Sequence, residues 1–594
     1  MNPRRRALLL VLALVLAAGC ADIPNTGGVT KVDGSRSEEQ PPVLIDPPGP
    51  ALDATPVQIV RGFINAMRAF PVSTDKAAQF LTAEAAAGWR PQRETVIYDA
   101  LDVTEPSGGT VQLNLRRTAV LDARGSYTPI TDRLPAAELP LTLERVEGQW
   151  RIANPPDTLY VSEDFFSEYF VPESLYFLDV SGTFLVPDPV YLPEGEQLAT
   201  SLVRGLLEGP TRDLRDQVLT SVPAVTRVDV SVPLRADGVA EVGLSGQALS
   251  LSDTQREQLA AQLVWTLQQV PGFVGVRILA AGVALDIPGA GDVQNLNDYA
   301  RYAPFTRSTA EVFALRAGRL VVVSPNGVSS FEGIWTEEPQ DLADFDIDRE
   351  YGRLGGVTGN RTRVVVGPAS GQRARGPRTL LRGASDLTDP TWDRNQLLWV
   401  VEHRADGSRM LLLDPTAPRG SAPRRITMGP LDSTHVDAFA LSPDGLRFAA
   451  VTQSIHGRRL GSPRVMLGTV QMVGDTRTVD SITDVHELIT ADATFEAPTD
   501  VGWTDSLTVS VLARVGTEPP QPYQARIDGS EVSGGLVTAV PLLDPVGATT
   551  LATGSTPEAL TYVGTRRGEL WYQDPNGRWA QVSRFRLLAP DYPG

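Results

Sequence analysis

"FALSPDGLRFAAVT" (residues 439–452) carries one complete structural phrase: an apolar strand end, a polar turn at Pro443-Asp444-Gly445, and an alternating strand. Pro fixes φ at one turn position and Gly accepts positive φ at another, so the chain reverses there. The phrase recurs. "FDIDREYGRLGGVT" near 345, "PTWDRNQLLWVVE" near 390 and "VGWTDSLTVSVLA" near 501 share its form. Their anchors Ile347, Trp392, Leu441 and Trp503 follow at intervals of 45, 49 and 62 residues. "STAEVFALRAGRLVVVS" and "EALTYVGTRRGELWYQ" are degenerate copies at the two ends. Repeats of about 40–50 residues with several strands each mark a β-propeller. Six copies predict about six blades over 300–594, with five or seven as the alternatives, and Trp392, Trp399, Trp503 and Trp571 packed between blades.

The chain has 594 residues, 42% of them hydrophobic and 21% charged, so the propeller is one of several domains. Residues 160–290 predict an α+β domain. "FLDVSGTFLVPDPVYLP" (177–193) reads as two short strands. "GEQLATSLVRGLLEGP" reads as a helix with Leu198, Leu202, Val203, Leu206 and Leu207 on its apolar face, ended by Gly209-Pro210. "TRVDVSV" and "VAEVGLSG" alternate as strands around "RADG". A long helix follows, capped by Ser252 and Asp253, with Leu263, Trp265 and Leu267 in the core. A turn at Pro271-Gly272 and a strand complete the unit.

Residues 55–158 predict a smaller α+β domain. Thr55-Pro56 opens a helix with Val57, Val60, Phe63, Ile64 and Met67 on one face. "TDKAAQFLTAEAAAGW" predicts a second helix, capped by Thr74 or Asp75. Strands follow at 95–98, 110–121, 139–146 and 150–152, the last two a hairpin turning at Gly148.

At the N-terminus Arg4, Arg5 and Arg6 precede the apolar run Ala7–Ala18, and small residues lead to Cys20, the chain's one cysteine. This is the pattern of a secretory signal peptide over 1–19. The run is too short to span a bilayer, which takes about 20 residues. Residues 20–54 are rich in Gly, Ser, Pro and acids and read as a flexible tether with a span of about 30 Å.

The net charge of −18 argues against nucleic acid as a partner and predicts repulsion from an anionic membrane. Membrane attachment therefore needs a source other than charge. The four histidines, His403, His435, His456 and His486, all fall in the propeller without metal-ligand spacing. Asp344, Asp346 and Asp348 of "DFDID" echo a calcium loop but lack its glycine and distal glutamate, and their alternation suits a strand. Gly534-Gly535 is loop material. "EPPQPY" (518–523) reads as an exposed propeller loop rather than a polyproline ligand. Neither G-x-S-x-G nor H-E-x-x-H is present. No cofactor, metal site or catalytic residue is expected.

Several stretches resemble known families. "LSPDGLRFAAV" is similar to the blades of TolB-like and YncE-like propellers. "LVRGLLEGP", "TSVPAVTRV", "AEVGLS" and "SDTQREQLAAQLVWTLQQVPGFVGVRI" resemble the GerMN domain, a binding module. The two helices and meander of 55–158 are similar to the nuclear-transport-factor-like cone. Ala17-Ala18-Gly19-Cys20 resembles the bacterial lipobox, with Ala17 where leucine is usual. That resemblance implies cleavage between Gly19 and Cys20, with an S-diacylglycerol and an N-acyl chain (palmitate among the usual acyl groups) on Cys20.

The order of these parts resembles the actinobacterial lipoprotein LpqB family. It implies a lipid-anchored protein on the extracytoplasmic face of the cell membrane, without enzymatic activity. It also implies binding to the extracellular domain of an MtrB-like sensor histidine kinase and modulation of the MtrA–MtrB two-component system. Cell-envelope homeostasis and division would be affected. The alternatives are an envelope glycan-binding or hydrolytic propeller protein, and a structural scaffold.

Overall fold

The computed structural model describes residues 44–594, apart from 108–109, 131–136, 225, 228–230, 305–310, 338–340, 371–375, 474–477, 491–493, 518, 531–546, 557 and 575–576. Gly19, Cys20 and Gly534-Gly535 lie outside the described residues.

The recurring phrase builds the propeller as its turn chemistry requires. In 439–452 the Asp444 carboxylate accepts from Ser442 Oγ and Leu446 N–H, and Gly445 takes φ 71°. Ser442 N–H then bonds Arg447 O, closing the hairpin between strands Thr434–Leu441 and Arg447–His456. The same closure recurs between Asp348 N–H and Arg353 O, Asp393 N–H and Leu397 O, and Thr504 N–H and Thr508 O.

Each hairpin starts a blade. Six sheets result, with inner strands Leu588–Asp591, Leu342–Ile347, Leu387–Trp392, Thr434–Leu441, Glu496–Trp503 and Ala548–Ala552 for blades one to six. Each inner strand lies beside the next, and the ring closes. Blade one is composite. Its inner strand pairs antiparallel with Val312–Arg316, joining the two ends of the propeller segment by backbone hydrogen bonds.

The tryptophans stitch blades together. Trp392 Nε1 donates across to Asp346 O at 3.0 Å, and Trp503 Nε1 to Ala440 O at 3.1 Å, the equivalent atom two blades on. Trp399 packs with Phe439 and Phe448 of blade four, and Trp571 against Leu512 and Leu551 of blades five and six. "EPPQPY" departs from the expectation of a loop: Gln521–Arg526 is the third strand of blade five, with Gln521 and Tyr523 buried. Pro522 fits because a strand that borders its sheet, as this one does among the described residues, can lack one N–H donor.

The middle domain pairs Phe170–Asp179 with Leu185–Pro193 as a hairpin. Val239–Leu244 runs parallel to Gly275–Ala280, with helix Asp253–Leu267 crossing between them. That helix begins with a reciprocal cap between Ser252 and Gln255. Every residue from Leu259 to Leu267 is buried, because helix Leu198–Glu208, strand Phe170–Asp179 and strand Gly275–Ala280 all touch it. The strand expected at "TRVDVSV" is absent from its described residues. Pro233 follows, cannot donate to a ladder, and only Leu234 bridges Ala240.

In the first domain helix Pro56–Ala66 packs on a sheet of order 149–152, 137–146, 110–122, 94–107, 159–162. Strand Leu159–Ser162 adds parallel to Glu94–Ser107, so the sheet runs past the expected end at 158. The helix expected after Thr74 is two, Asp75–Ala78 and Ala83–Gly88. Between them Phe80 O accepts from Ile152 N–H, and Thr82 N–H donates to Ile152 O. Tying the backbone to the sheet interrupts the helix, and Thr82 recaps it through Ala85 N–H.

Candidate functional site

Two concave features stand out. The first is a pit of about 170 Å³ at the propeller centre, bordered by Asp344, Asp346, Asp500 and Asp591. All four carboxyls are engaged with backbone, Asp591 through Tyr592 N–H. Asp346 accepts from Trp392 N–H at 2.7 Å, and Asp500 accepts from Leu551 N–H at 2.6 Å and Val501 N–H at 2.8 Å. Asp344 accepts from Phe345 N–H at 2.8 Å. Arg349 spans the pit's end, donating to Gly594 O and Pro443 O. Burial lowers the Arg349 guanidinium to about 10, so it stays charged near neutrality.

The "DFDID" aspartates thus have separate tasks. Asp346 joins blade two to blade three, while Asp348 accepts from Gly352 N–H and shapes the turn. Among the described residues no group of three or more His, Cys, Asp or Glu could hold a metal ion.

Burial pushes Asp500 up to about 7. It also raises Asp346 and Asp591, whose side chains hydrogen-bond to each other, so the pair shares a proton. A carboxyl raised on folding contributes stability that is full below its unfolded value near 4 and is lost as pH rises through its folded value. The melting midpoint is therefore expected to fall between about pH 5 and about pH 8. Asp591→Asn keeps a donor toward Asp346 and an acceptor for Tyr592 N–H without needing a proton. Its midpoint should fall less over that range and exceed that of the unsubstituted protein at the alkaline end. A steeper fall would refute this account of the pair.

The second feature is a cavity of about 580 Å³ where the three domains meet. Tyr127 and Pro129 of the first domain, Pro189 and Leu214 of the middle domain, and Phe448, Leu467 and Leu488 of the propeller line it. Its wall holds a line of buried charges. Arg124 Nη1 lies 3.0 Å from Asp188 Oδ2, their side chains 8% and 1% exposed. Arg124 also donates to Gly209 O, and Thr211 N–H donates to Asp188 Oδ2. Burial holds the Asp188 carboxyl above its usual range even beside Arg124. Arg447 pairs with Asp444 at 2.6 Å and donates to Pro187 O at 2.7 Å. Leu446, in the same turn, inserts into the hydrophobic core of the middle domain. Arg394 of the propeller stacks 3.6 Å over the Phe184 ring.

The fold brings together two histidines that sequence spacing kept apart. His403 and His435, from neighbouring blades, stack at 4.1 Å between ring centroids. Burial lowers His403 to about 4, so it is neutral near pH 7. His456 and His486 are exposed and separate from this stack. No helix among the described residues is long and apolar enough to cross a membrane.

Comparison with known proteins follows the same three-part order. Residues 49–167 match the family model of the lipoprotein LpqB N-terminal domain, 174–286 that of sporulation and spore germination, and 318–593 that of the lipoprotein LpqB beta-propeller domain. Lipoprotein LpqB of Mycolicibacterium smegmatis is 30% identical over 76% of this chain and 79% of its own length. Lipoprotein LpqB of Cutibacterium acnes is 28% identical over 98% of both chains. Among solved structures, the first GerMN domain of the sporulation protein GerM from Bacillus subtilis is 23% identical. It covers 21% of this chain and 98% of its own, with a TM-score of 0.19.

Proposed function

Because the chain belongs to the lipoprotein LpqB family, we propose that it is a lipid-anchored accessory protein of the extracytoplasmic membrane face. It binds the extracellular domain of an MtrB-like sensor histidine kinase and modulates the MtrA–MtrB system, and through it envelope homeostasis and division. It has no catalytic role. The observation that carries this reading is the succession of N-terminal, GerMN and propeller domains along a chain that matches the lipoprotein LpqB of Cutibacterium acnes over 98% of both lengths. The commitment of the pit's carboxyls to backbone and to one another supports a binding rather than a hydrolytic role.

Titrating purified protein into the kinase's extracellular domain tests it. Saturable binding is expected. Turnover of cell-wall fragments, lost when Asp344 or Asp500 is replaced, would overturn it in favour of a hydrolytic propeller.

The anchor is assigned to Cys20, with cleavage after Gly19. Two or more acyl chains hold a protein stably where one does not. Cys20→Ala is expected to abolish metabolic labelling with palmitate and to release the protein or leave its precursor uncleaved. Unchanged labelling would place the lipid elsewhere.

A further inference from the structure

We propose that the propeller face turned away from the GerMN domain docks on an anionic phospholipid bilayer through arginine-and-apolar loop tips. The assignment requires neither acylation of Cys20 nor the kinase reading. Inner strands end at the turns that meet the GerMN domain, as Arg394 and Arg447 show. The hairpins between second and third strands therefore lie on the opposite face.

On that face, at the seam of blades six and one, five arginines lie on adjoining loops, one of them stacked on an exposed ring. Arg316 stacks 3.5 Å over Phe585. Arg584 and Arg586 flank that ring in sequence, and Gly568 packs directly on the Arg586 side chain, which brings up the hairpin bearing Arg566 and Arg567. None of the five joins an ion pair among the described residues. Glu569 is the one carboxylate within 562–569 and 582–588. Phe585 is 54% exposed and Leu588 42%.

The composition repeats across the ring. In blade four, strand Arg447–His456 overshoots into a small hairpin with Arg459–Leu460. There Arg458 and Arg459 are exposed beside Leu460, itself 48% exposed.

Guanidinium forks match phosphate, and apolar tips between cations enter the acyl boundary beneath headgroups. Two such tips on opposite sides of one face fit a plane. An acidic protein surface would satisfy the arginines yet give the protruding Phe585, Leu588 and Leu460 no apolar medium to enter. The chain's net charge of −18 predicts repulsion from an anionic membrane, but a surface contact feels the local field, and here that field is positive.

The test uses the mature chain from residue 20 with Cys20→Ser, so that neither the signal peptide nor an acyl chain contributes. It is mixed with vesicles of phosphatidylcholine alone or with about one third phosphatidylglycerol. Slowed amide exchange in 565–569, 582–588 and 456–460 is expected only with the anionic vesicles, weakening as salt rises. Arg566→Gln with Arg584→Gln should lower vesicle affinity about tenfold or more. Arg212→Gln with Arg215→Gln, the same charge change on the GerMN domain, should leave it unchanged. Phe585→Ser should weaken binding severalfold with every charge in place. No protection of these segments, or equal binding by the paired arginine variant, would overturn the proposal. Sensitivity to the arginines with none to Phe585 would assign the patch to an acidic macromolecule and overturn the bilayer.

Discussion

Arg124→Met is expected to destabilise the protein by about 3–5 kcal/mol, the cost of leaving a buried carboxylate without its partner. Arg124 belongs to the first domain and Asp188 to the GerMN domain, and Asp188 is 1% exposed. Methionine fills most of the stem's volume, so the loss falls on charge rather than packing. Burial already raises the Asp188 carboxyl, and removing the guanidinium raises it further. The orphan then protonates more readily, so the destabilisation is largest at alkaline pH and shrinks on acidification. Denaturant melts of both proteins at two pH values measure this. A destabilisation that does not change with pH would mean that Arg124 acts through packing alone.

Trp392→Ala should cost about 3–5 kcal/mol, the range for deleting a buried aromatic. Trp392 is 2% exposed and packs with Val357, Val364 and Leu398 of blades two and three. Its indole also holds Asp346 O, and its backbone N–H holds the Asp346 carboxyl. The truncation therefore opens a cavity and strands an inter-blade acceptor together. Trp392→Phe keeps most of the ring volume and should cost about 1–3 kcal/mol, the price of the orphaned carbonyl. Equal losses in the two variants would show that the hydrogen bond, not the volume, holds the seam.

The propeller was legible because its signal is local. A polar turn of three or four residues followed by alternation occurs within one phrase, and the backbone has few other ways to satisfy it. The GerMN helix from Asp253 was legible for the same reason, since Ser252 and Gln255 announce its start within four residues. What failed was decided by distant partners. The helix after Thr74 breaks because Ile152 binds its backbone on both sides of Leu81. "EPPQPY" looks like a loop until the strand Thr508–Arg514 supplies its ladder.

The sites were hidden on the same ground. Asp346 and Asp591 meet only because the ring closes, and nothing near either residue indicates the other. The cavity at the three-domain junction draws its wall from all three domains. His403 and His435 show no useful interval in sequence because stacking between blades follows the ring rather than the chain. The arginines were readable singly, yet their meeting at one seam depends on two loops joined through Gly568 and Leu587.

The turn at 442–447 serves two domains at once. Its Asp444 and Gly445 reverse blade four, while Leu446 and Arg447 are seated in the GerMN domain. A propeller excised from its neighbours would therefore present an apolar plug and a cation stripped of one acceptor. Such a fragment is prone to self-association, and its solubility would report on the missing neighbour rather than on its own fold. Leu446→Ser is the repair that would let the blades be studied alone. In the intact protein the same substitution is expected to weaken the seam between the two domains without touching either one's sheets.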